Sequence, residues 1–499
     1  MRKKFTLFLV FVACLMAIQV AHAKAILADS KLKVVTTFYP VYEFTKQVLG
    51  DTSEVSMLIK AGTEPHDFEP STKNIASIQK ADAFVYMNDN METWAKKTTK
   101  DTNVKVINAS EDMLLAKGVA EDDEDKHEGH SHVLDPHVWL SPKRAITLVE
   151  HIRDKFVVDY PDKADVFKAN ADTYIEKLEE LDKTYTDNLS AAKQKSFVTQ
   201  HAAFGYLALD YGLKQIPISG LSPDEEPSAK RLASLSKYIK NNGIKYIYFE
   251  ENASSKVAKT LANEAGVKTK VLNPLESLTV DEEKAGENYI SVMKSNLKAL
   301  KLTTDVEGKE ITEEVDSTKT VEKGYFETKD VSDRKLSDWT GDWQSVYPYL
   351  EDSTLDSVWD YKAKANKDMT AQEYKTYYTT GYKTDVNKIV IDGKNKTIAF
   401  TKDGKESKFT YKYVGYKILT YKKGNRGVRY LFETSDDNAG EFKYVQFSDH
   451  GIKSQKAEHF HLFWGSESQE KLLEEMNNWP TYYPSKLTGK EIAQEIVAH

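Results

Sequence analysis

Two sets of side chains in this chain have the type and spacing to hold a divalent metal. His450, His459 and His461 lie in one short stretch, SDHGIKSQKAEHFHLFW. Read as a strand, the His459-Phe460-His461 run puts both imidazoles on one face, because side chains alternate with period two. His450 follows a strand-like run, KYVQFSD, close enough to fold back toward them. Three imidazoles with an open fourth position suit zinc. Far upstream His66, His137 and His201 form a second, more dispersed set, with Glu276 as a carboxylate partner.

The elements around the upstream set decide whether its members can meet. His66 lies in AGTEPHDFEP, just beyond a strand, and His137 in DPHVWLSP, before long helical patterns. His201, in TQHAAFGY, directly follows the strand SFVT, and Glu276, in NPLES, follows KVLN. In open parallel α/β sheets, ligands bind beyond the carboxyl ends of the strands. Three imidazoles plus one carboxylate there would close a tetrahedral zinc shell, and such nitrogen-rich ligation disfavours manganese. Each residue also has a plain alternative as a capped surface group. Glu64, two residues before His66, competes with Glu276 for the carboxylate position. Asp135, two before His137, is placed to accept from its ring and orient it. The flanking prolines stiffen both turns. A third tract, EDDEDKHEGHSH at 121–132, mixes acids with His127, His130 and His132. Without periodicity or an apolar anchor, it would bind metal weakly and flexibly, or serve only as a solvated acidic loop.

Strand candidates at 32–36, 55–59, 83–87 and 104–108 alternate with helical stretches near 40–49, 72–80 and 91–98. A second series at 196–199, 215–219, 246–249 and 270–273 does the same. Strands alternating with helices predict parallel βαβ units, here two α/β lobes. Between the series, Phe167, Tyr174, Leu178, Leu181, Tyr185 and Leu189 recur at helical spacing and predict a linking helix over about 162–190. It would either join the lobes as a rod or pack along one of them. Residues 303–321, charged and poor in aromatics, read as a linker. Beyond it, KIVI, TIAFT, SKFTYKYV, KILTYK, VRYLFE and EFKYVQFS alternate with Asp-Gly and other turn signals, predicting an antiparallel small barrel or curled sheet. Helices are expected to flank it at 345–361, 369–379 and 466–476.

A chain of 499 residues implies two or three domains. A net charge of −8 with no basic stripe argues against nucleic acid as a partner. Cys14 is the one cysteine, so there is no disulfide framework and no thiolate metal site in the body. Residues 1–23 read as an export signal: Arg2, Lys3 and Lys4, an apolar run, then Ala21, His22 and Ala23 as a small-x-small cleavage site. Phe-Val-Ala-Cys, ending at Cys14, loosely matches a lipobox. Both a lipid anchor at Cys14 and cleavage after Ala23 stay open, and either places the body outside the cytoplasm.

The runs KVVTTFYPVYEFTKQV, EPHDFEPS, DPHVWLSP, SFVTQHAAFGYLALDYGL, YIYFEENAS and LNPLESLT resemble the ZnuA-type (cluster A-I) solute-binding proteins of zinc ABC transporters. LSDWTGDWQSVYPYL, FKYVQFSDH and AEHFHLFW resemble the ZinT family, and the fusion in this order is similar to the AdcA-type zinc-binding lipoproteins. The resemblance implies a two-lobed zinc-binding domain over 31–302, the linker at 303–321 and a calycin-like (lipocalin-like) barrel domain over 322–499. It also implies a primary Zn²⁺ shell of His66, His137, His201 and Glu276 and a second of His450, His459 and His461. The function it implies is capture of extracellular Zn²⁺ for a membrane ABC permease, by a monomer that is not an enzyme. Two other readings compete. One is a zinc-dependent hydrolase at the three-histidine site; it lacks a placed general base, since alternation turns Glu458 away. The other is a surface zinc buffer or adhesin.

Overall fold

The computed structural model describes residues 31–118, 133–308 and 319–498. The export signal with Cys14, the tract with His127, His130 and His132, and most of the expected linker lie outside the described residues. The chain forms two compact units that divide between residues 311 and 312.

The first unit contains two four-stranded parallel sheets. One has the order β2-β1-β3-β4, with β1 Leu32–Thr36, β2 Ser53–Met57, β3 Ala83–Tyr86 and β4 Lys105–Asn108. The other has the order β6-β5-β7-β8, with β5 Ser196–Thr199, β6 Lys214–Pro217, β7 Tyr246–Phe249 and β8 Lys268–Val271. The central strands β3 and β5 are buried at every position, as strands covered by helices on both faces must be. Several strands start and stop earlier than their apolar runs suggest. β2 ends at Met57 because Leu58 and Ile59 leave the ladder and donate to the carbonyls of Thr36 and Thr37 on their way into the His66 loop. β8 covers 268–271 rather than 270–273, because Asn273 is drawn away by the Asn296 side chain.

Helix α1 (Tyr39–Leu49), with Pro40 in its first turn, follows β1, and α2 (Pro142–Asp159) leads into the linking helix α3 (Ala164–Leu189). Phe167, Ala171, Tyr174, Leu178, Leu181, Tyr185 and Leu189 form the buried stripe of α3. That stripe packs on α1 and α2 of the first lobe and on α4 (Tyr289–Thr304), which returns from the second. The two sequence alternatives therefore hold together: α3 spans about 39 Å, connects the lobes and packs along its length.

The second unit is a nine-stranded antiparallel sheet ordered β12-β11-β10-β9-β17-β16-β15-β14-β13. Its strands are β9 Gly341–Ser345, β10 Val386–Asp392, β11 Thr397–Lys402, β12 Lys405–Thr410, β13 Lys412–Thr420, β14 Arg426–Glu433, β15 Tyr444–Ser448, β16 Phe460–Gly465 and β17 Thr481–Pro484. Its two end strands, β12 and β13, do not pair, so it is a curled half-barrel wrapped around Trp339, Trp343, Phe447, Phe460 and Tyr482. The stretches SKFTYKYV and KILTYK divide differently from the sequence reading. The chain breaks at Tyr411, whose buried ring and hydroxyl anchor to the Phe442 carbonyl at 2.5 Å. β13 then runs on through a bulge at Gly415, whose φ of 120° suits a residue without Cβ. The strand in EFKYVQFS starts only at Tyr444, after a 3₁₀ turn over Gly440–Phe442. Of the expected flanking helices, the first is split into Pro348–Glu351 and Asp356–Ala365, the second is present as Ala371–Tyr382 with a Thr370–Glu373 capping box, and the third is shortened to Gln469–Leu473. Spacing does not mark the helix Gly489–Ala498.

Leu178, fully buried at the centre of α3, tests this packing. Leu178→Ala is expected to cost about 2–5 kcal/mol. Chemical denaturation should show this loss in the first unit's transition and leave the second unit's transition in place.

Candidate metal centres

Four loops of the first unit converge. The loop after β2 carries His66, and the loop before a 3₁₀ turn (Val138–Leu140) carries His137. His201 follows β5 directly, and Glu276 follows β8. One ligand atom from each of these residues lies within 4.8 Å of all the others. Glu276 Oε1 sits 3.2 Å from His66 Nε2, 3.4 Å from His137 Nε2 and 3.2 Å from His201 Nε2. His66 Nε2 and His137 Nε2 are 3.2 Å apart. A tetrahedral zinc site with ligands at about 2.0–2.1 Å has ligand-to-ligand edges of ~3.3–3.4 Å, so these spacings match a zinc-sized shell. Two imidazole lone pairs facing each other at this distance repel unless a cation, either a proton or a metal, stands between them.

The rings are oriented from behind. His137 Nδ1 donates to Asp135 Oδ1 at 2.7 Å, and the same oxygen accepts the His137 backbone N–H at 2.9 Å. His201 Nδ1 donates to Glu250 Oε1. Each bond fixes the tautomer and turns the Nε2 lone pair inward. Glu250 is not among the residues that motif spacing singles out. Its signal is positional: it directly follows β7, at the same sheet edge as His201. Glu64 stands apart from the cluster, accepting the His66 backbone N–H at 3.0 Å. Burial and the neighbouring Glu276 charge push its carboxyl up to about 8.

Burial alone would raise the Glu276 carboxyl, but the surrounding imidazoles of His201, His66 and His137 outweigh it and hold the group well below the usual range. Burial alone would lower His201, but the Glu250 and Glu276 carboxylates outweigh it and hold the imidazole well above its ordinary value. His137 is raised in the same way, with burial opposed by Asp135 and Glu276. The carboxylates of Glu276, Glu250 and Asp135 therefore favour positive charge on the imidazoles between them.

Trp139 ties two of the loops together. Its fully buried indole Nε1 donates to the Pro274 carbonyl at 2.8 Å, and Tyr289 Oη donates to the Trp139 carbonyl at 2.6 Å. Leu275, next to Glu276, takes a left-handed φ of 55° that is uncommon for a branched residue. Asn273 Oδ1 holds that turn by accepting the Leu275 N–H at 2.7 Å. Across the lobes, Tyr206 Oη donates to the Asp135 carbonyl at 2.6 Å, and Arg144 pairs with buried Asp210 at 2.7 Å. The loops of His137 and His201 are thereby cross-braced.

In the second unit, His450, His459 and His461 also come within 4.8 Å of one another through one ligand atom each. Their ring centroids are 5.7, 5.7 and 5.9 Å apart. β16 places His461 opposite Ser448 of β15, and His459 immediately precedes β16. Phe460 between them points the other way, into the core. His461 Nδ1 donates to Thr481 Oγ1 at 2.8 Å, while that hydroxyl donates to the Trp479 carbonyl at 2.9 Å. His459 stacks on Tyr483 with centroids 5.2 Å apart. His450 is exposed, in a turn with a left-handed φ of 62°. The first centre is thus closed by buried groups, whereas the second has one exposed member.

Residues 34–302 match the family described as "Zinc-uptake complex component A periplasmic" (ZnuA), and residues 317–499 match ZinT, the "periplasmic lipocalin-like zinc-recruitment" family. The chain is 64% identical, over all of both chains, to "Zinc-binding protein AdcA" of Streptococcus pyogenes serotype M6. It is 63% identical, again over all of both, to "Zinc-binding lipoprotein AdcA" of Streptococcus pneumoniae strain R6. Its fold is similar to the crystal structure of Zn(II)-bound AdcA from Streptococcus pneumoniae, with a TM-score of 0.82 and 64% identity over 94% of this chain and 100% of that one. With this fold, these two matched domains and full-length similarity, the chain belongs to the AdcA family of zinc-binding proteins, zinc ABC transporter substrate-binding components that join a ZnuA-like to a ZinT-like domain.

Proposed function

We propose that this chain captures Zn²⁺ outside the cytoplasm and hands it to a membrane ABC permease, with His66, His137, His201 and Glu276 as its tight site. The observation that carries this reading is the quartet of ligand atoms spaced for tetrahedral zinc and buried behind oriented imidazoles. His450, His459 and His461 form the second zinc site. Among the described residues no carboxylate joins those three imidazoles, which favours binding over hydrolysis, since a metal-bound water needs a base. The name lipoprotein on the pneumococcal relative supports export and membrane attachment. Intact mass of protein from the native host distinguishes acylation at Cys14 from cleavage after Ala23.

The tight site is tested by competition titration with a zinc chelator. His137→Ala and His201→Ala each remove a ligand and are expected to weaken zinc more than the about 10–100-fold that loss of an outer hydrogen-bond partner costs. Glu250→Ala should fall within that outer-partner range. Glu276→Ala should weaken binding less than a histidine loss, because water can take the fourth position. Unchanged affinity in His201→Ala would remove this assignment.

Zinc should also displace protons. His137 and His201 are raised, so they bind protons to a higher pH than ordinary imidazoles, and zinc must compete with those protons. Affinity is then lost as pH falls through the raised imidazole pKa and recovers as it rises. Titration calorimetry in buffers of different ionisation enthalpy should report net proton release on binding at neutral pH. Zero release would contradict the charge arrangement.

The second site should survive on its own. A fragment of residues 322–499 is expected to bind one zinc, lose it in His459→Ala or His461→Ala, and exchange it faster than the first site does, because three ligands leave an open position. Such a site would scavenge zinc and supply the tighter one, at the high effective concentration that a shared chain provides. Zinc-limited growth of cells whose chain stops at residue 302 checks this role; growth equal to that of the full chain at every zinc level would discard it.

A further inference from the structure

The turn bearing His450 and the run leading to His459 form one loop, residues 449–459, between β15 and β16. A segment far away in sequence, residues 332–338, holds this loop at nearly every step. Ser332 N–H donates to the Ile452 carbonyl at 2.9 Å, and Ala457 N–H donates to the Asp338 carbonyl at 2.8 Å. Ser454 Oγ donates to Asp338 Oδ1 at 3.2 Å. At the centre Arg334, only 1% exposed, donates to Asp449 Oδ1 at 2.5 Å, to the Gln455 carbonyl at 2.8 Å and to Asp338 Oδ2 at 3.1 Å. Its guanidinium lies over the rings of Trp339 and Tyr430, 4.2 and 5.2 Å from their centroids.

This network closes around the backbone of His450 itself. Asp449 Oδ1, held by Arg334, also accepts the Gly451 N–H at 3.2 Å. A Cβ on Gly451 would meet Arg334 Nη1 at 2.8 Å, so the turn and the guanidinium are packed against each other. Between them His450 is in the left-handed region, uncommon for a residue with a Cβ, and the Asp449–Gly451 hydrogen bond and the packed guanidinium hold it there. The His450 ring is exposed. The turn's backbone carries that ring toward His459 and His461, with centroids 5.7 Å from each.

We infer that Arg334 and the arm 332–338 are positioning elements of the second metal site: they hold His450 in ligating geometry, and release of the arm frees the metal. The inference rests on the reading of His450, His459 and His461 as zinc ligands.

The test follows zinc release from the full chain to a chromophoric chelator. Wild type should show a slow and a fast phase. Arg334→Met and Ser332→Pro should each accelerate the fast phase and weaken that site by about 10–100-fold, while leaving the slow phase unchanged. Ser332→Pro is the milder change. It removes one N–H from an exposed residue, and Val331 before it already has the extended φ and ψ of −82° and 132° that a following proline requires. A double-mutant cycle supplies the readout that a merely structural role would not move. In a His450→Ala background the arm variants should have no further effect on release. Additive effects in that background, or an unchanged fast phase in both variants, would overturn the inference. A wild type with no fast phase, or whose fast phase His450→Ala leaves untouched, would instead overturn the reading of the site on which it rests.

Discussion

Glu276 Oε1 lies 3.2–3.4 Å from three imidazole nitrogens, two of which are 3.2 Å from each other, and such crowding of lone pairs is relieved only by positive charge among them. This constraint organises the first unit. The four groups come from four separate loops, and no local contact would hold them so close. Buried acceptors therefore anchor the rings from outside: Asp135 behind His137 and Glu250 behind His201. Trp139 and Tyr289 join the His137 loop to the Glu276 loop, and Tyr206, Arg144 and Asp210 join it to the segment after His201. The linking helix α3, apolar along one stripe, gives these braces a rigid base.

The second unit meets the same requirement by different means. A strand alternation positions His459 and His461 almost without help, because a period of two fixes their side of the sheet. Thr481 orients one ring and Tyr483 supports the other. The third imidazole, His450, sits outside any strand, in a left-handed turn that Asp449 closes by accepting the Gly451 N–H. Arg334 in turn holds Asp449 through a buried ion pair. A buried guanidinium is costly to desolvate, and it is held here by two carboxylates, a carbonyl and two aromatic faces. Extended backbone places two of the imidazoles on one face, and a turn backed by a long-range contact places the third.

Much of this was legible in the sequence where the signal is local. The βαβ alternation gave both parallel sheets, the stripe from Phe167 to Leu189 gave the linking helix, and His459-Phe460-His461 gave a shared face. The converging set His66, His137, His201 and Glu276 could be suspected because each residue follows or precedes a strand-like run. What stayed hidden depends on contacts between residues far apart in the chain. Glu250 pairs with His201 across 49 positions and Arg334 with Asp449 across 115, and neither has a sequence signature of its own. The division of β12 from β13 at Tyr411 was hidden for the same reason: the anchor that breaks the strand, the Phe442 carbonyl, is a tertiary partner. Pairing partners likewise decide strand ends, which is why β2 and β8 are displaced from the apolar runs that announce them.

The geometry also bears on which metal the first centre holds. Divalent affinities for nitrogen ligands rise toward copper, so affinity alone does not select zinc. Shape can. Copper(II) favours tetragonal arrangements and manganese(II) favours six oxygen-rich ligands. Either would need the imidazoles to spread or further groups to enter. Asp135 and Glu250 fix two rings at their Nδ1 atoms, and His137, His201 and Glu276 are all buried. Only His66 is partly exposed, and Glu64 ties its backbone down. A shell held this way can accept a tetrahedral ion with little movement and cannot readily open to a larger coordination number. Rigidity behind these four side chains, as much as their chemical type, favours a tetrahedral ion such as zinc over ions that need a wider shell.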